Sequence, residues 1–240
     1  MYKIIYNIIQ QLTSFDTSLT HRKVRRSNLL TNWQYKVSKL SVIMKRKAES
    51  NTNKPATLNK SHWSAGLLKS MEDPESIIKE DDRIVVIKDK YPKAQFHYLV
   101  LPKENILSIW QVKKNHQDLL MHMHDIARDL VENQTDHEFI IGYHAMPSMQ
   151  RLHLHVISTD FNSPCLKTKY HWNSFTTPFF MHSSDVCRQL REEGEIKKVS
   201  SERSKDYLNT QLKCHKCAIQ PKNMPDLKRH ILTHIDKQKQ

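Results

Sequence analysis

The stretch PSMQRLHLHVIS, residues 147–158, decides how we interpret the rest of the chain. Leucine and valine alternate there with His153 and His155, and successive side chains of a β strand point to opposite faces. The pattern predicts a strand with its aliphatic side chains in a core and both imidazoles on the other face. Neutral imidazole is both a nucleophile and a metal ligand, so the pair suits chemistry on an anion or metal binding. The alternative is an ordinary strand with two solvated histidines.

The composition bounds the architecture and the class of partner. At 240 residues and 38% hydrophobic content, the chain is long enough for one full domain and a small module. Its 38 Lys and Arg residues against 25 Asp and Glu give a formal charge of +13, which favours nucleic acid or an anionic membrane surface. No run approaches the roughly 18 apolar residues that span a bilayer, so we expect a soluble protein.

The first 60 residues are predicted to be a disordered basic tail and linker. Residues 1–43 contain seven Lys or Arg and one acidic residue among many Ser and Thr, which is typical of a mitochondrial transit peptide. A disordered tail, or an upstream extension with Met44 as a second start, is the alternative. Residues 44–60 are polar and predict a linker without fixed structure, with a weakly specified nuclear import signal.

Strand-like and helix-like runs alternate from residue 61 onwards. We predict helices over 63–71 and 118–131 and strands over 84–87, 96–101 and 139–143. The first two of these strands are expected to form an antiparallel pair. The fold class is therefore α+β, with an antiparallel sheet and flanking helices.

Three ring side chains lie on the predicted helices. His122 and His124 point about 200° apart on a helix, so we expect them to share no site. Trp63 is either a core residue or an exposed ring on which a base could stack.

A second motif lies near the carboxy terminus. Cys214, Cys217, His230 and His234 have the spacing of a zinc finger, in which a knuckle presents two thiolates and a helix presents two histidines. A Cys-x-x-Cys pair also favours a reduced intracellular metalloprotein over a disulfide framework. We predict a ββα-like finger that holds a structural zinc ion. The finger is basic, so nucleic acid is a more frequent partner than protein, with an affinity that falls as salt rises.

The histidine stretch resembles the histidine-triad hydrolases and transferases, and further motifs resemble the aprataxin family within them. These matches are dispersed over residues 61–236 and include Trp63-Ser64-x-Gly66-Leu67, Asp89-Lys90-Tyr91-Pro92-Lys93-Ala94, Gly142-Tyr143-His144, Asp160-Phe161-x-Ser163-Pro164-Cys165-Leu166-Lys167 and His171-Trp172-Asn173-Ser174-Phe175. The resemblance implies a histidine-triad fold, with a catalytic domain over 61–180 and a helix and finger module over 181–240. Residues 171–175 and the helix-like run 183–193 are expected to pack the two together.

The resemblance also implies an activity. Aprataxins remove AMP from abortive DNA ligation intermediates and restore a 5′-phosphate. By position, His153 would be the nucleophile that forms a transient histidine-AMP. The other expected site residues would hold the phosphate (His155, His144 and Ser148), contact the ribose (Asp89) or line the nucleotide site (Lys93 and His97).

Arg151 departs from the family pattern, which has the first histidine of the triad at this position. Arginine cannot accept a hydrogen bond as neutral imidazole does, but it carries a permanent charge. We therefore expect Arg151 to contact substrate phosphate or to point to solvent. Because the nucleophile maps to His153, we expect activity to survive the replacement.

The leading hypothesis is a nuclear DNA repair enzyme that acts as a monomer, with an additional mitochondrial form as an alternative. No segment has the length of the forkhead-associated domain of vertebrate aprataxins, so recruitment by that route is not expected. A histidine-triad hydrolase of small nucleotides and a catalytically inactive nucleic-acid-binding protein are the two competing hypotheses. We also expect Cys217→Ser to weaken DNA binding while turnover of a small substrate remains.

Overall fold

A six-stranded antiparallel sheet forms the centre of the protein in a computed structural model, which describes residues 66–132 and 134–238. Its strands lie in the order β1-β2-β3-β5-β4-β6, and every neighbouring pair is antiparallel. The predicted α+β class and the predicted first strand pair are confirmed. The strands are β1 (Ile77–Glu80), β2 (Ile84–Lys88), β3 (His97–Pro102), β4 (Phe139–His144), β5 (Leu154–Ser158) and β6 (Phe180–His182).

Helices flank this sheet and continue beyond it. They are α1 (Gly66–Glu72), α2 (Gln117–Glu132), α3 (Lys169–Thr176), α4 (Ser183–Glu193), α5 (Ser201–Asn209) and α6 (Met224–Gln238), with short 3₁₀ turns at Ile109–Gln111 and Lys114–His116. Helices α1 and α2 match the two predictions, although Trp63 lies outside the described residues. The prediction missed β1, β6, α3 and α5, because strands of three or four residues and short helices with many polar residues give little periodic signal. None of the described helices is long and apolar enough to cross a bilayer.

The two faces of the sheet bury different side chains. On one face, Leu154 and Val156 pack with Val100 and with Leu120 and Met123 of α2 in a purely apolar cluster. The intervening residues of β5 point to the opposite face, because side chains alternate along a strand. That face carries the histidines, so the predicted alternation places them away from the main aliphatic core.

The finger packs on the histidine-bearing face instead of standing apart. Leu212, Leu227 and Ile231 are buried in the same cluster as Ile157 of β5 and Trp172 of α3. Each fully buried aliphatic side chain contributes about 1.5 to 3 kcal/mol to folding. The finger and the histidine-bearing face of the sheet therefore stabilise each other.

Hydrogen bonds from α3 reinforce this packing. The Trp172 Nε1–H donates to the Lys213 carbonyl at 3.1 Å, and the Asn173 amide donates to the carbonyls of Leu208 and Thr210 at 2.8 and 2.7 Å. Residues 171–175 thus join the two modules as predicted. Helix α4 does not, because its buried face packs with α2 on the other side of the sheet.

Candidate active site

His153 lies at the end of the loop that leads into β5 and is held by one backbone bond. Its Nδ1 is 2.8 Å from the Arg151 carbonyl oxygen. A carbonyl can only accept a hydrogen bond, so Nδ1 carries the ring proton and Nε2 keeps its lone pair. Burial lowers the pKa of His153, although the carbonyl bond and the Asp89 carboxylate oppose this effect. His153 is therefore a neutral imidazole with a free basic nitrogen, which is the form that attacks an electrophile.

A chain of hydrogen bonds fixes the opposite tautomer in the neighbouring histidine. The Lys93 backbone N–H donates to His97 Nδ1 at 3.1 Å, so His97 carries its proton on Nε2. That Nε2–H donates to His155 Nδ1 at 3.0 Å, which leaves the proton of His155 on its own Nε2. His155 Nε2 is buried and has no hydrogen-bond partner among the described residues. It is a donor ready for an anionic oxygen.

Burial keeps these rings neutral. It lowers the pKa of His97 to about 4, and it holds the pKa of His155 well below its usual range, with His144 as the next cause. The Asp89 carboxylate lies 3.5 Å from His97 Nδ1, but that nitrogen already accepts the Lys93 N–H. The contact is therefore not an ion pair at neutral pH.

Aromatic side chains enclose the histidines. The ring of Phe175 on α3 lies 4.8 Å from that of His144, 5.4 Å from His155 and 5.5 Å from His97, centroid to centroid. The ring of Phe180 lies farther away, 6.1 Å from that of His144 and 6.5 Å from that of His155, and it packs against Gly142. A Cβ at residue 142 would lie 2.7 Å from the Phe180 ring and 2.3 Å from the Met181 carbonyl oxygen.

Sequence reasoning assigned Phe175 only to packing between the modules and did not single out Phe180. No local pattern reveals that two phenylalanines from separate elements close over histidines of the sheet.

His144 ends β4 and completes the cluster. Its ring lies 4.3 Å from that of His155, and its Nε2 is buried without a partner among the described residues. Burial holds the pKa of His144 well below its usual range. The structure therefore brings the rings of four expected site residues together, namely His144, His153, His155 and His97. His122 and His124 bond elsewhere, to Asp81 and Ser183 respectively.

Asp89 and Lys93 lie on the turn between β2 and β3, at the edge of this cluster. The Asp89 carboxylate accepts the Tyr91 backbone N–H at 2.7 Å, which is the turn-forming role of an aspartate, while its other oxygen faces His97. Ser148 is exposed in the loop before β5 and makes no hydrogen bond with the described residues. The roles of these residues toward a nucleotide remain predictions.

Arg151 does not point to solvent, so this part of the expectation is wrong, whereas its contact with a substrate phosphate stays a prediction. It is only 7% exposed, and its guanidinium donates to Asn105 Oδ1 at 2.8 Å and to the carbonyls of Pro102 and Lys103 at 3.1 and 2.6 Å. A charged residue beside histidines suggested an exposed or phosphate-bound group. Pro102 at the end of β3 and Lys103 and Asn105 after it supply three neutral acceptors, while the Nε–H of Arg151 is buried without a partner among the described residues.

The four predicted zinc ligands converge in the finger. The ligand atoms of Cys214, Cys217, His230 and His234 lie within 4.8 Å of one another, with Sγ to Nε2 distances of 3.1 and 3.4 Å. Zinc bonds of about 2.0 to 2.3 Å in a tetrahedron place neighbouring ligands roughly 3.5 Å apart, so the donor set fits this ion. The Cys214 N–H closes the knuckle on the Ile219 carbonyl at 2.9 Å. Helix α6 supplies the histidines, while the described residues 211–223 form no strand hairpin.

Two other features do not extend the site. Asp89, His97 and His155 lie close enough to hold a metal, but both ring nitrogens of His97 are engaged in hydrogen bonds. A cavity of about 890 Å³ is lined by residues of β6, α4 and the finger, together with Phe175 and Phe180. None of the four clustered histidines lines it, so the chemistry does not belong there.

Comparison with known proteins agrees with this geometry. Residues 62–171 match the family described as scavenger mRNA decapping enzyme C-term binding, and residues 176–237 match the C2HE / C2H2 / C2HC zinc-binding finger. The aprataxin of Ciona intestinalis is 46% identical over 198 residues, which cover 81% of this chain and 51% of that protein. The aprataxin of Danio rerio is 48% identical over 177 residues, which cover 72% and 54%.

Solved structures show the same fold. The aprataxin ortholog Hnt3 in complex with DNA aligns with a TM-score of 0.62 at 22% identity, over 74% of this chain and 96% of that chain. Hnt3 from Schizosaccharomyces pombe aligns with a TM-score of 0.59 at 23% identity, over 70% and 90%. The chain spans about half the length of the curated vertebrate and tunicate relatives that it matches. With both family matches in one chain and the histidine cluster in place, the chain belongs to the aprataxin family.

Proposed function

We propose that this protein hydrolyses 5′-adenylated DNA ends, releasing AMP and leaving a 5′-phosphate on the DNA. The observation that carries the proposal is the neutral His153 ring, whose Nδ1 is held by a carbonyl and whose Nε2 is free. The second candidate function is hydrolysis of small nucleotides, which would use the same nucleophile.

The reaction follows from the tautomers. His153 Nε2 attacks the phosphorus of the adenylate, a bond forms between Nε2 and phosphorus, and the bond from phosphorus to the bridging oxygen breaks. The DNA leaves as a 5′-phosphate, which is already a stable anion and needs little help from an acid. Water then attacks the phosphorus of the histidine-AMP, the bond between phosphorus and Nε2 breaks, and its electron pair returns to Nε2. AMP is released and the proton lost by the water passes to solvent.

The neighbouring rings stabilise the charge that develops. His155 Nε2–H is buried, unpartnered within the described residues, and therefore available to a phosphate oxygen. His144 would hold the same phosphate beside His155. The Ser148 hydroxyl would donate a hydrogen bond to the phosphate once a substrate is bound. Asp89 would accept the ribose hydroxyls, with Lys93 and His97 along the same edge.

DNA binding would use the basic surface of the finger. Lys213 and Lys222 are exposed there, whereas Lys216 pairs with Glu138 at 2.9 Å and Lys228 donates to the Ser163 carbonyl at 2.9 Å. The fitting ion is a structural zinc, which would fix α6 against the sheet. The Hnt3 structures with DNA support a nucleic-acid partner. A monomer that acts in the nucleus, with a mitochondrial form as an alternative, is part of the same proposal.

One comparison tests this function. Release of AMP is measured from a 5′-adenylated nicked duplex and from a small AMP-amide, with wild-type protein and with His153→Ala. We expect a clear preference for the duplex and loss of both activities in the variant. Preference for the small substrate would support the second candidate. No AMP release from either substrate would indicate a nucleic-acid-binding protein without this activity.

A further inference from the structure

Arg151 forms a buried clamp on the loop that follows β3. Its guanidinium donates to three oxygen atoms: the backbone carbonyls of Pro102 and Lys103 and the side-chain amide oxygen of Asn105. Burial of a guanidinium is costly unless its donors are used, and here three hydrogen bonds from the terminal nitrogens offset part of that cost, while Nε–H has no partner among the described residues. All three acceptors lie between residues 102 and 105, so the side chain ties residue 151 to one short segment.

The backbone of Arg151 is strained. Its φ of 95° lies in the left-handed region, which costs a residue other than glycine on the order of 1 to 3 kcal/mol. Two backbone bonds hold the same segment: Arg151 N–H donates to the Leu107 carbonyl at 3.0 Å, and Leu152 N–H donates to the Ile106 carbonyl at 2.8 Å. Such a conformation persists only where its surroundings fix it.

This conformation directs the Arg151 carbonyl at the nucleophile. The carbonyl oxygen accepts the His153 Nδ1–H at 2.8 Å, and this contact assigns the lone pair to Nε2. A neutral histidine at residue 151 has a single donor and could not occupy all three acceptors. The arginine is therefore a different solution to holding this backbone.

We propose that Arg151 is a positioning residue for His153: its guanidinium holds the left-handed backbone that turns the 151 carbonyl onto Nδ1 and keeps Nε2 free. The proposal rests on the proposed function only in taking His153 as the nucleophile. The hydrogen bonds of the Arg151 guanidinium go to residues 102–105 and not to the His153 ring. Arg151 acts through one carbonyl.

The test reads the His153 ring directly. Protein labelled with ¹⁵N and ¹³C in histidine is analysed by NMR, and the His153 signals are identified by their absence from His153→Asn. We expect the wild-type ring to be protonated only at Nδ1 and the Arg151→Met ring to be a mixture of both tautomers. The kcat of AMP release should fall on the order of 100-fold with little change in KM, because the nucleophile is misplaced while the binding groups remain. Relative to Arg151→Met, Arg151→Lys should recover only part of the Nδ1 tautomer and part of kcat, since one ammonium cannot reach all three acceptors.

Arg83→Met is the matched control, because Arg83 is exposed and loses the same charge. It should leave the tautomer and kcat unchanged. A folded Arg151→Met protein with the wild-type tautomer and wild-type kcat would overturn the proposal. If Arg151→Met does not fold, Asn105→Ala is used instead, because it removes one acceptor of the same clamp. An unchanged His153 tautomer and an unchanged kcat in Asn105→Ala would also overturn the proposal. A tautomer that responds to Arg151 in a protein that releases no AMP would retain the positioning role and remove the proposed function.

Discussion

Two pairs of histidines, His153 with His155 and His230 with His234, differ in burial and in the chemistry open to their ring nitrogens: the first pair is buried and the second is half-buried. In the sheet, one ring nitrogen of each histidine is occupied by a carbonyl or by another histidine, which leaves the second nitrogen for a substrate. In the finger, the Nε2 atoms of His230 and His234 each face a cysteine sulfur, and the two Nε2 atoms lie 3.2 Å apart. The first arrangement leaves a lone pair on one ring and a donor on the other, whereas the second brings four ligand atoms to within 4.8 Å of one another.

The difference teaches that the second ring nitrogen decides what a histidine does. Spacing alone gives pairs at i, i+2 on an extended segment and at i, i+4 on a helix, and either can bring rings together. The outcome depends on the atoms placed opposite the remaining nitrogens. The predictions below change those atoms one at a time.

Removal of the nucleophile is expected to have the largest effect. His153→Asn removes the lone pair that attacks phosphorus, so AMP release from a 5′-adenylated duplex should fall on the order of 1000-fold or more. The melting temperature should change little, since Arg151 and the β5 strand remain. Rapid-quench assays of AMP release and thermal melts measure the two quantities.

His124→Asn is the control for this variant, because His124 is a half-buried histidine bonded to Ser183 on the other side of the sheet. It should retain wild-type turnover per folded molecule. Equal loss in both variants would mean that the effect comes from stability and not from the nucleophile.

Loss of zinc is expected to have the next largest effect, and it tests whether the finger is separable. The sequence predicted that Cys217→Ser would spare a small substrate. The structure changes that expectation, because Leu227 and Ile231 share a core with Trp172, and α3 places Phe175 against the histidines. Since a structural zinc supplies folding energy, Cys217→Ser should lower the melting temperature and reduce both DNA affinity and turnover of an AMP-amide.

Cys165→Ser makes the same chemical change at a cysteine outside the finger and should preserve both activities. If the AMP-amide were turned over at the wild-type rate by a Cys217→Ser protein that has lost its zinc, the shared core would not support the active site. DNA affinity and turnover are measured at one salt concentration, because DNA affinity varies strongly with salt.

The sequence predicted the parts of the fold that have strong local signals. The apolar runs of β2 and β3, the amphipathic α2 and the cysteine and histidine spacing each specify an element without knowledge of the rest. Local patterns could not predict the buried position of Arg151, because its three acceptors come from a segment 46 to 49 residues earlier and its positive φ has no local signal. The tautomers depend on the Lys93 backbone, which only the folded turn places beside His97.

Replacement of His97, which passes the hydrogen bond from the Lys93 backbone to His155, should have an intermediate effect on turnover and a pH-dependent effect on stability. His97→Leu deprives His155 Nδ1 of its donor and should reduce turnover about 10-fold to 100-fold, as outer-shell changes do. His97→Gln keeps an amide donor but does not titrate. Because burial lowers the pKa of His97 to about 4, the folded protein binds fewer protons than the unfolded chain between that pH and about 6.5. Stability should therefore fall as the pH drops through this window, and His97→Gln should weaken the dependence.

Urea unfolding at pH 7 and pH 5 measures this effect in the wild type, in His97→Gln and in His182→Gln. His182 is an exposed histidine, so its replacement should keep the wild-type difference between the two pH values. An identical difference in all three proteins would show that His97 takes up its proton as easily in the folded state as in the unfolded chain.

The smallest expected effect concerns the ion pair between the two regions. Lys216, in the knuckle, lies 2.9 Å from Glu138, just before β4, and the glutamate is largely exposed. Exposed pairs contribute about 0.2 to 1 kcal/mol, so Glu138→Gln should lower the free energy of unfolding by no more than this amount. Turnover should be unchanged, because the buried contacts of Trp172 and Leu227 hold the finger in place. The loss should disappear in high salt, which screens a surface pair but does not weaken a buried core. A loss of several kcal/mol that persists in high salt would mean that the charge pair, and not the shared core, joins the finger to the sheet.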